Sequence, residues 1–320
     1  MLESYSMNLD RRNFLKNTFT SLSCVTVSPR GVPSTILANS QINKQPKNSF
    51  STDPVARIKL FNNVETTRLG MGTGMSGYNH SSQLTRMDRT KAIRLINHCY
   101  DLGIRFFDCA DLYGTHEIIS TTLKDKPRDS YTLSSKLWPH NLGDTPPDGV
   151  AIVKRFLQEL NTDYLDLLQI HCMMKPDWQD DYSRYMEALE KCKEEGLIRG
   201  HGVSCHSLGA LQNAAENQWV DAIHIRLNST GTRMEGSFEE NVSAAQKAQD
   251  NGKGIICMKL IGEGTIKKLE ERQKSIDKVI RSQVVDVYIV GFEEEWQVDE
   301  FIENVSLSLK AIESEQKKSL

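Results

Sequence analysis

No hydrophobic run in this chain approaches the roughly 20 residues needed to cross a bilayer. It has no surplus of either charge. Its 39 basic and 42 acidic side chains leave a formal net charge of -3, which gives no footprint for nucleic acid. Seven cysteines form no CxxC pair and no dense spacing, so neither a disulfide framework nor a metal site is expected. Several lie in apolar stretches, where a thiol serves as a small core group. With 38% hydrophobic and 25% charged residues over 320 positions, there is material for one large core.

The first forty residues differ from the rest. Asp10-Arg11-Arg12-Asn13-Phe14-Leu15-Lys16 resembles the twin-arginine export signal, and a mildly apolar stretch from Phe19 to Val27 follows. Leu37-Ala38-Asn39-Ser40 offers a small-residue cleavage region, and Met7 is an alternative start to Met1. The expectation is a signal over 1–40 read by the Tat export machinery, a polar linker over 41–54, and a folded protein delivered to the periplasm or outside the cell. A disordered basic tail is the competing reading.

From residue 55 onward, Val64 to Leu69 and the preceding VARIKL flank an Asn-rich turn, a short hairpin. Strand-like and helix-like segments then alternate. Strands are predicted at 68–73, 104–108, 132–136, 165–170, 199–204, 221–226, 254–258 and 286–290. Amphipathic helices are predicted at 86–102, 115–125, 148–160, 181–195, 207–217, 238–251, 266–283 and 296–309. In the first helix Ala92, Leu95, Ile96 and Cys99 recur three or four apart, one buried stripe. Strands apolar nearly throughout suit a sheet covered on both faces. Eight of each predict a closed (β/α)8 TIM barrel over 55–310, hairpin included, with a tail at 311–320.

Parallel strands joined by helices place their C-terminal ends on one rim. Asp108, Lys136 and His171 end the second, third and fourth strands, and Tyr113 follows the second. A carboxylate, an ammonium, an imidazole and a phenol gathered there suit carbonyl reduction. Negative charge developing on the carbonyl oxygen needs a proton donor and polarising groups. Tyrosine, with a pKa near 10, needs a cation beside it to act near neutrality. Lys136 is the expected cation, Asp108 its anchor, and His171 the group that orients the oxygen.

These motifs, FFDCADLYG, SSKLWP, DLLQIH and GVSCH, taken in order, resemble the aldo-keto reductases from about Arg68 to Phe301. The resemblance implies that Asp108, Tyr113, Lys136 and His171 form the catalytic tetrad and that NADP(H) or NAD(H) is the cofactor. It also implies cofactor contacts from Thr73 and Gly74 after strand one and from Ser204 after strand five. There Cys205 replaces the usual asparagine, leaving His206 to take over the contact. His224 stands where glutamine is common, with Asn228 nearby, and Met258, Lys259, Ile261, Gly262 and Gly264 form the next loop. After strand eight the family commonly places cations for a 2′-phosphate, whereas this chain has Glu293, Glu294 and Glu295. Carboxylates repel a phosphate and accept from a ribose hydroxyl, so the expectation is an NADP(H) preference weakened or replaced by NAD(H).

Gly72-Thr73-Gly74-Met75-Ser76-Gly77 matches GxGxxG, but no helix opens at those glycines, so a dinucleotide-binding turn is not expected. Trp138, two residues beyond Lys136, faces the same side and is the expected substrate wall, with Met173, Met174 and Trp219 as further candidates. The substrate expected is a small carbonyl or sugar-like molecule. Two other readings stay open: a barrel kept as a binding module with a degraded cofactor site, and a lyase or isomerase on the same scaffold.

Overall fold

The structure, a computed structural model, describes residues 48–140 and 148–318. The signal expected over 1–40 and the first part of the linker lie outside the described residues. The end of that linker is fastened down. Asn48 accepts from the Lys59 backbone N–H at 2.7 Å, and Arg68 donates to the carbonyls of Ser51 and Asp53.

β1 (Arg57–Phe61) and β2 (Val64–Thr67) form the antiparallel hairpin, turning at Asn62 with φ 41°. Eight parallel strands follow: β3 (Leu69–Gly72), β4 (Phe106–Asp108), β5 (Thr132–Leu137), β6 (Leu167–Met173), β7 (His201–Cys205), β8 (Ala222–Arg226), β9 (Gly254–Met258) and β10 (Val287–Val290). β10 pairs with β3, so the barrel closes as the alternation predicts.

The helices are α1 (Gln83–Arg86), α2 (Arg89–Asp101), α3 (His116–Leu123), α4 (Gly149–Leu160), α5 (Trp178–Glu194), α6 (Leu208–Glu216), α7 (Phe238–Asp250), α8 (Leu269–Arg281) and α9 (Glu295–Lys318). The first predicted helix begins later than expected because the Asp88 carboxylate caps α2 by accepting from the Lys91 N–H at 2.9 Å. Its buried stripe is the predicted one. The last helix outruns its prediction and takes in most of the expected tail. Leu309 and Ile312 stay buried, and Arg281 of α8 grips Glu315 with two hydrogen bonds.

Residues alternating along each strand fill the barrel. At its N-terminal end Phe106, Leu167, Ala222, Ile256, Val287 and Ile289 pack against Ile58, Leu60, Phe61 and Val64, so the hairpin plugs that mouth. One layer up, toward the strand C-termini, the interior divides. β4 to β8 present Asp108, Lys136, Gln169, Ser204 and His224, all buried, while β9, β10 and β3 present apolar side chains and glycines. The open mouth therefore has one polar wall and one apolar wall.

Candidate active site

Asp108 and Lys136 point inward from neighbouring strands and meet. Lys136 Nζ lies 2.5 Å from Asp108 Oδ1 and donates to the Cys109 carbonyl at 3.0 Å. Both side chains are buried, and an ammonium so placed requires a fixed counter-charge. Burial pushes the Asp108 carboxyl up, but the Lys136 ammonium, with the His224 ring beside it, outweighs that and holds the group well below the usual carboxylate range.

Tyr113 closes a single 3-10 turn after β4, ended by Gly114 in the left-handed region at φ 66°. Lys136 Nζ stands 5.5 Å from the centre of its ring, and its hydroxyl is 3.5 Å from His171 Nε2. The glycines of the GxGxxG match explain themselves here. A Cβ on Gly74 would fall 2.3 Å from Tyr113 Cε2 and Cζ, and one on Gly77 2.5 Å from Cδ1. Loop 73–82 thus lies against the phenol ring, with Tyr113 filling the space the missing side chains leave.

The tuning expected of Lys136 is not what the site shows. Burial first, then the charge of Asp108, raise the Tyr113 phenol well above its ordinary value. The lysine's charge is matched by the carboxylate beside it, so the phenol keeps its proton.

His171 sits where β6 bulges. Its pairing with β7 shifts register between Ile170 and Met173, and Cys172 takes φ 71°. Two clamps hold this bend. Ser204 Oγ accepts from the Cys172 N–H at 2.8 Å. His140 Nε2 lies 2.9 Å from the His171 carbonyl, and the Tyr182 hydroxyl 2.9 Å from His140 Nδ1. That network assigns the proton to His140 Nε2 and makes Tyr182 the donor to Nδ1. Burial, reinforced by the charge of Lys136, pushes the His171 imidazole well down, so it is neutral at physiological pH. Trp138 meets the His171 ring edge-on at 5.4 Å and the His140 ring at 4.6 Å.

The candidate cofactor residues divide into two groups. Gly74, Met258, Lys259, Ile261 and Gly264 line a cleft beside Tyr113 and Asp108, with about 640 Å³ of empty space. The cleft continues past Met75 and Gly291 into a second one of about 910 Å³, reaching Arg272, Glu293, Trp296 and Gln297. The other residues lie elsewhere. Thr73 donates to the Asp108 carbonyl and meets Thr115 Oγ1, both at 2.8 Å, so it ties loops together. Asn228 is wholly buried, its amide nitrogen given to the Thr232 and Lys259 carbonyls and its oxygen to Thr230 and Thr232. Gly262, at φ 59°, shapes the loop without lining either cleft.

Ser204 secures the bend after His171. His206 places its ring 6.5 Å from that of His171, on the polar wall. His224 is fully buried, its Nε2 3.1 Å from Asp108 Oδ1 but off the hydrogen-bonding angle. It belongs with the ion pair, because alternation along β8 turns it inward at that layer.

Lys259 is not free for a phosphate. Its ammonium meets Glu263 Oε1 at 2.8 Å, and Arg233 holds Oε2 of the same carboxylate at 2.7 Å. Among the three glutamates after β10, Glu294 pairs with Lys91 and Glu295 lies 3.9 Å from Arg94, both on α2. Glu293 alone faces the cleft.

Of the proposed wall, Met173 is buried and Met174 half exposed. Trp219 stacks on His201 at 4.1 Å, at the strand N-terminal end of the barrel, away from the site. Sequence reasoning missed His140 and Tyr182. The alternation through Lys136 and Trp138, carried two residues further, reaches His140, whereas nothing local marks Tyr182.

Comparison with known proteins agrees with this architecture. A worm oxidoreductase from Caenorhabditis elegans is 32% identical over 164 residues, which is 49% of this chain and 46% of that protein. The methylglyoxal reductase DkgA of Yersinia pestis is 32% identical over 166 residues, 51% of this chain and 53% of that enzyme. The chain thus spans about half the length of these curated relatives. A Klebsiella pneumoniae aldo/keto reductase solved with NADP and acetate shares the fold at TM-score 0.57 and 18% identity, covering 78% of this chain and 90% of that one. Residues 68–316 match the aldo/keto reductase family along the whole barrel, and the chain belongs to that family.

Proposed function

We propose that this protein is a nicotinamide-dependent oxidoreductase that reduces a small carbonyl compound to an alcohol. The observation that carries this reading is the pairing of the Tyr113 hydroxyl with His171 Nε2 at 3.5 Å over a buried Lys136–Asp108 pair. A carbonyl oxygen seated between those two groups receives a hydrogen bond from each. Tyr113, kept protonated by burial, gives up its proton as the oxygen becomes an alkoxide. His171, kept neutral, donates a hydrogen bond from Nε2 without adding a charge.

The cleft residues fit a nicotinamide nucleotide. Gly72, Gly74 and Gly291 line the cleft beside Tyr113 with backbone alone, and Met258 adds an apolar thioether to the same lining. The nucleotide, when bound, supplies the hydride. Gln297 and Glu293 at the far end suit an adenosine, and Glu293 favours a ribose hydroxyl over a 2′-phosphate, so NAD(H) is the preferred form. Methylglyoxal, the substrate named for the Yersinia relative, is a reasonable first carbonyl to assay. Delivery by the twin-arginine route, resting on Arg11-Arg12 and Phe14-Leu15-Lys16, belongs to the same proposal. Fractionating cells that express wild type and an Arg11→Lys, Arg12→Lys variant tests it, export being abolished in the variant.

Tyr113→Phe tests the chemistry. The hydroxyl makes a single long contact, so the variant keeps the fold and its nucleotide binding, while kcat falls by about 100- to 10,000-fold. Turnover near the wild-type rate would rule out Tyr113 as the donor and favour the binding-module reading.

A further inference from the structure

Along β8, Ala222 packs in the interior layer, His224 stands by Asp108, and the same alternation turns Arg226 into the open mouth. Arg226 pairs in register with Met258, a wall of the cleft next to Tyr113. Its side chain is only 10% exposed, and its partner Glu235 is fully buried. Glu235 Oε1 accepts from Arg226 Nε at 2.8 Å, and Oε2 accepts from the Arg226 backbone N–H at 3.2 Å. One edge of the guanidinium is thereby fixed. Its two terminal nitrogens have no hydrogen-bond partner among the described residues and are not among the sealed polar atoms. Each therefore keeps some contact with solvent.

Holding a planar, permanently charged group nearly desolvated, with its donor fork unused, is costly unless something binds there. The charge around the mouth supports an anion. Lys136, Arg226, Lys259 and Arg233 face Asp108, Glu235 and Glu263, four cations against three carboxylates. His206, whose ring feels Arg226, is pushed down to about 3 by burial and by Arg226 itself, so it adds no charge and leaves Arg226 as the fixed cation on this wall. Arg226 does not line the nucleotide cleft, which runs the other way along residues 259–264 toward Gln297. His206 feels the charge of Arg226 and stands 6.5 Å from His171, ring to ring. Arg226 and His171 thus share His206 as a neighbour, which puts an anion on Arg226 on the same wall as the carbonyl position.

We infer that Arg226, held by Glu235, is a carboxylate subsite, and that the substrates are short oxo acids carrying a carbonyl at one end and a carboxylate at the other. This rests on the reading of the mouth as a carbonyl-reducing site and names its substrate class. A guanidinium fork recognises a carboxylate by two parallel charge-assisted hydrogen bonds, and a neutral aldehyde of equal length forfeits both.

The test compares ω-oxo carboxylates of two to five carbons with neutral aldehydes of matching length. The proteins are wild type, Arg226→Lys and the paired Arg226→Gln, Glu235→Gln, which leaves no buried charge unanswered. Wild type is expected to favour at least one oxo acid in kcat/KM, and the paired variant to lose that preference by about 10- to 100-fold, through KM. An unchanged preference, or a loss falling equally on acid and aldehyde, overturns the inference. So does a weakened Kd for NAD(H) accompanied by intact discrimination. Titrating each protein with succinate by calorimetry separates this claim from the proposed activity. Wild type that binds succinate through Arg226 yet reduces nothing refutes the reductase reading alone, and equal succinate binding by the paired variant refutes the subsite alone.

Discussion

Lys136 Nζ stands 2.5 Å from Asp108 Oδ1 and 5.5 Å from the centre of the Tyr113 ring, so the carboxylate answers the lysine's charge before the phenol does. Asp108→Asn should leave the ammonium buried without its counter-charge, costing about 3–5 kcal/mol of stability. The effect has a pH signature. The folded-state pKa of Asp108 is depressed, so its contribution is complete above the unfolded value near ~3.9 and is lost only as pH falls through the range below it. Urea unfolding from pH 7 down to pH 3 should show a steady gap between wild type and variant to about pH 4, narrowing by about 1 kcal/mol by pH 3. A constant gap across that range would contradict the assignment.

Histidines set a second, milder acid limit. His171, His206 and His224 are all pushed below the ordinary imidazole value, burial being the largest cause in each case. The unfolded chain therefore takes up these protons first. Stability is full above about 6.5 and declines as pH drops, each group contributing up to ~1.4 kcal/mol per pH unit. Asp108 stays ionised throughout that window and does not mask the decline. Unfolding free energies at pH 7.5, 6.5 and 5.5 should fall in that order, with a shallower slope in His224→Gln. Stability that is flat or rises toward pH 5.5 would show that these rings are protonated in the fold.

The barrel was legible because strands such as Gly254–Met258 are apolar nearly throughout, because strands and helices alternate, and because the helices carry stripes such as Ala92, Leu95, Ile96 and Cys99. Alternation also places Asp108, Lys136 and His171 on one rim, where the structure has them. Hydrogen-bond bookkeeping was not legible. Ser204, Thr73 and Asn228 look like ligand contacts by position, yet their polar atoms are used to tie the Cys172 bend, the Asp108 carbonyl and the 228–232 loop. Those partners are set by tertiary contacts that no local pattern encodes. The length of α9 escaped for a related reason, since Ile312 is held by packing between helices and its flanking residues read as a polar tail.

Gly74 makes the seat of the phenol testable without altering any titratable group. A methyl group there would fall 2.3 Å from two ring carbons of Tyr113, well inside contact distance, and the ring would have to move. The hydroxyl would leave its position near His171, and a misplacement of about 1 Å costs about 100-fold in rate. Gly74→Ala should therefore lower kcat by about that factor while unfolding within about 1–3 kcal/mol of wild type, the usual penalty for overpacking. Stopped-flow single turnovers separate the chemical step from nucleotide exchange. A wild-type single-turnover rate would mean that the loop gives way and the ring stays put.

On the proposed cofactor reading, Glu293 is the residue that would set the nucleotide preference. Glu294 and Glu295 are turned toward Lys91 and Arg94 on α2, and their replacement should alter cofactor choice little. The Glu293 backbone N–H is held by Gln297 Oε1 at 2.7 Å, which leaves its side chain facing the cleft. A carboxylate there repels a 2′-phosphate and accepts from a 2′-hydroxyl, so the charge reversal Glu293→Arg should exchange those preferences. One charge-assisted hydrogen bond lost to NAD(H) and one gained with NADP(H) together move the ratio of the two dissociation constants by about 100-fold or more toward NADP(H). Fluorescence titration of the reduced nucleotides reads both constants directly. A ratio that does not move in Glu293→Arg, or that moves equally in Glu294→Arg, would place the 2′-position elsewhere in the cleft.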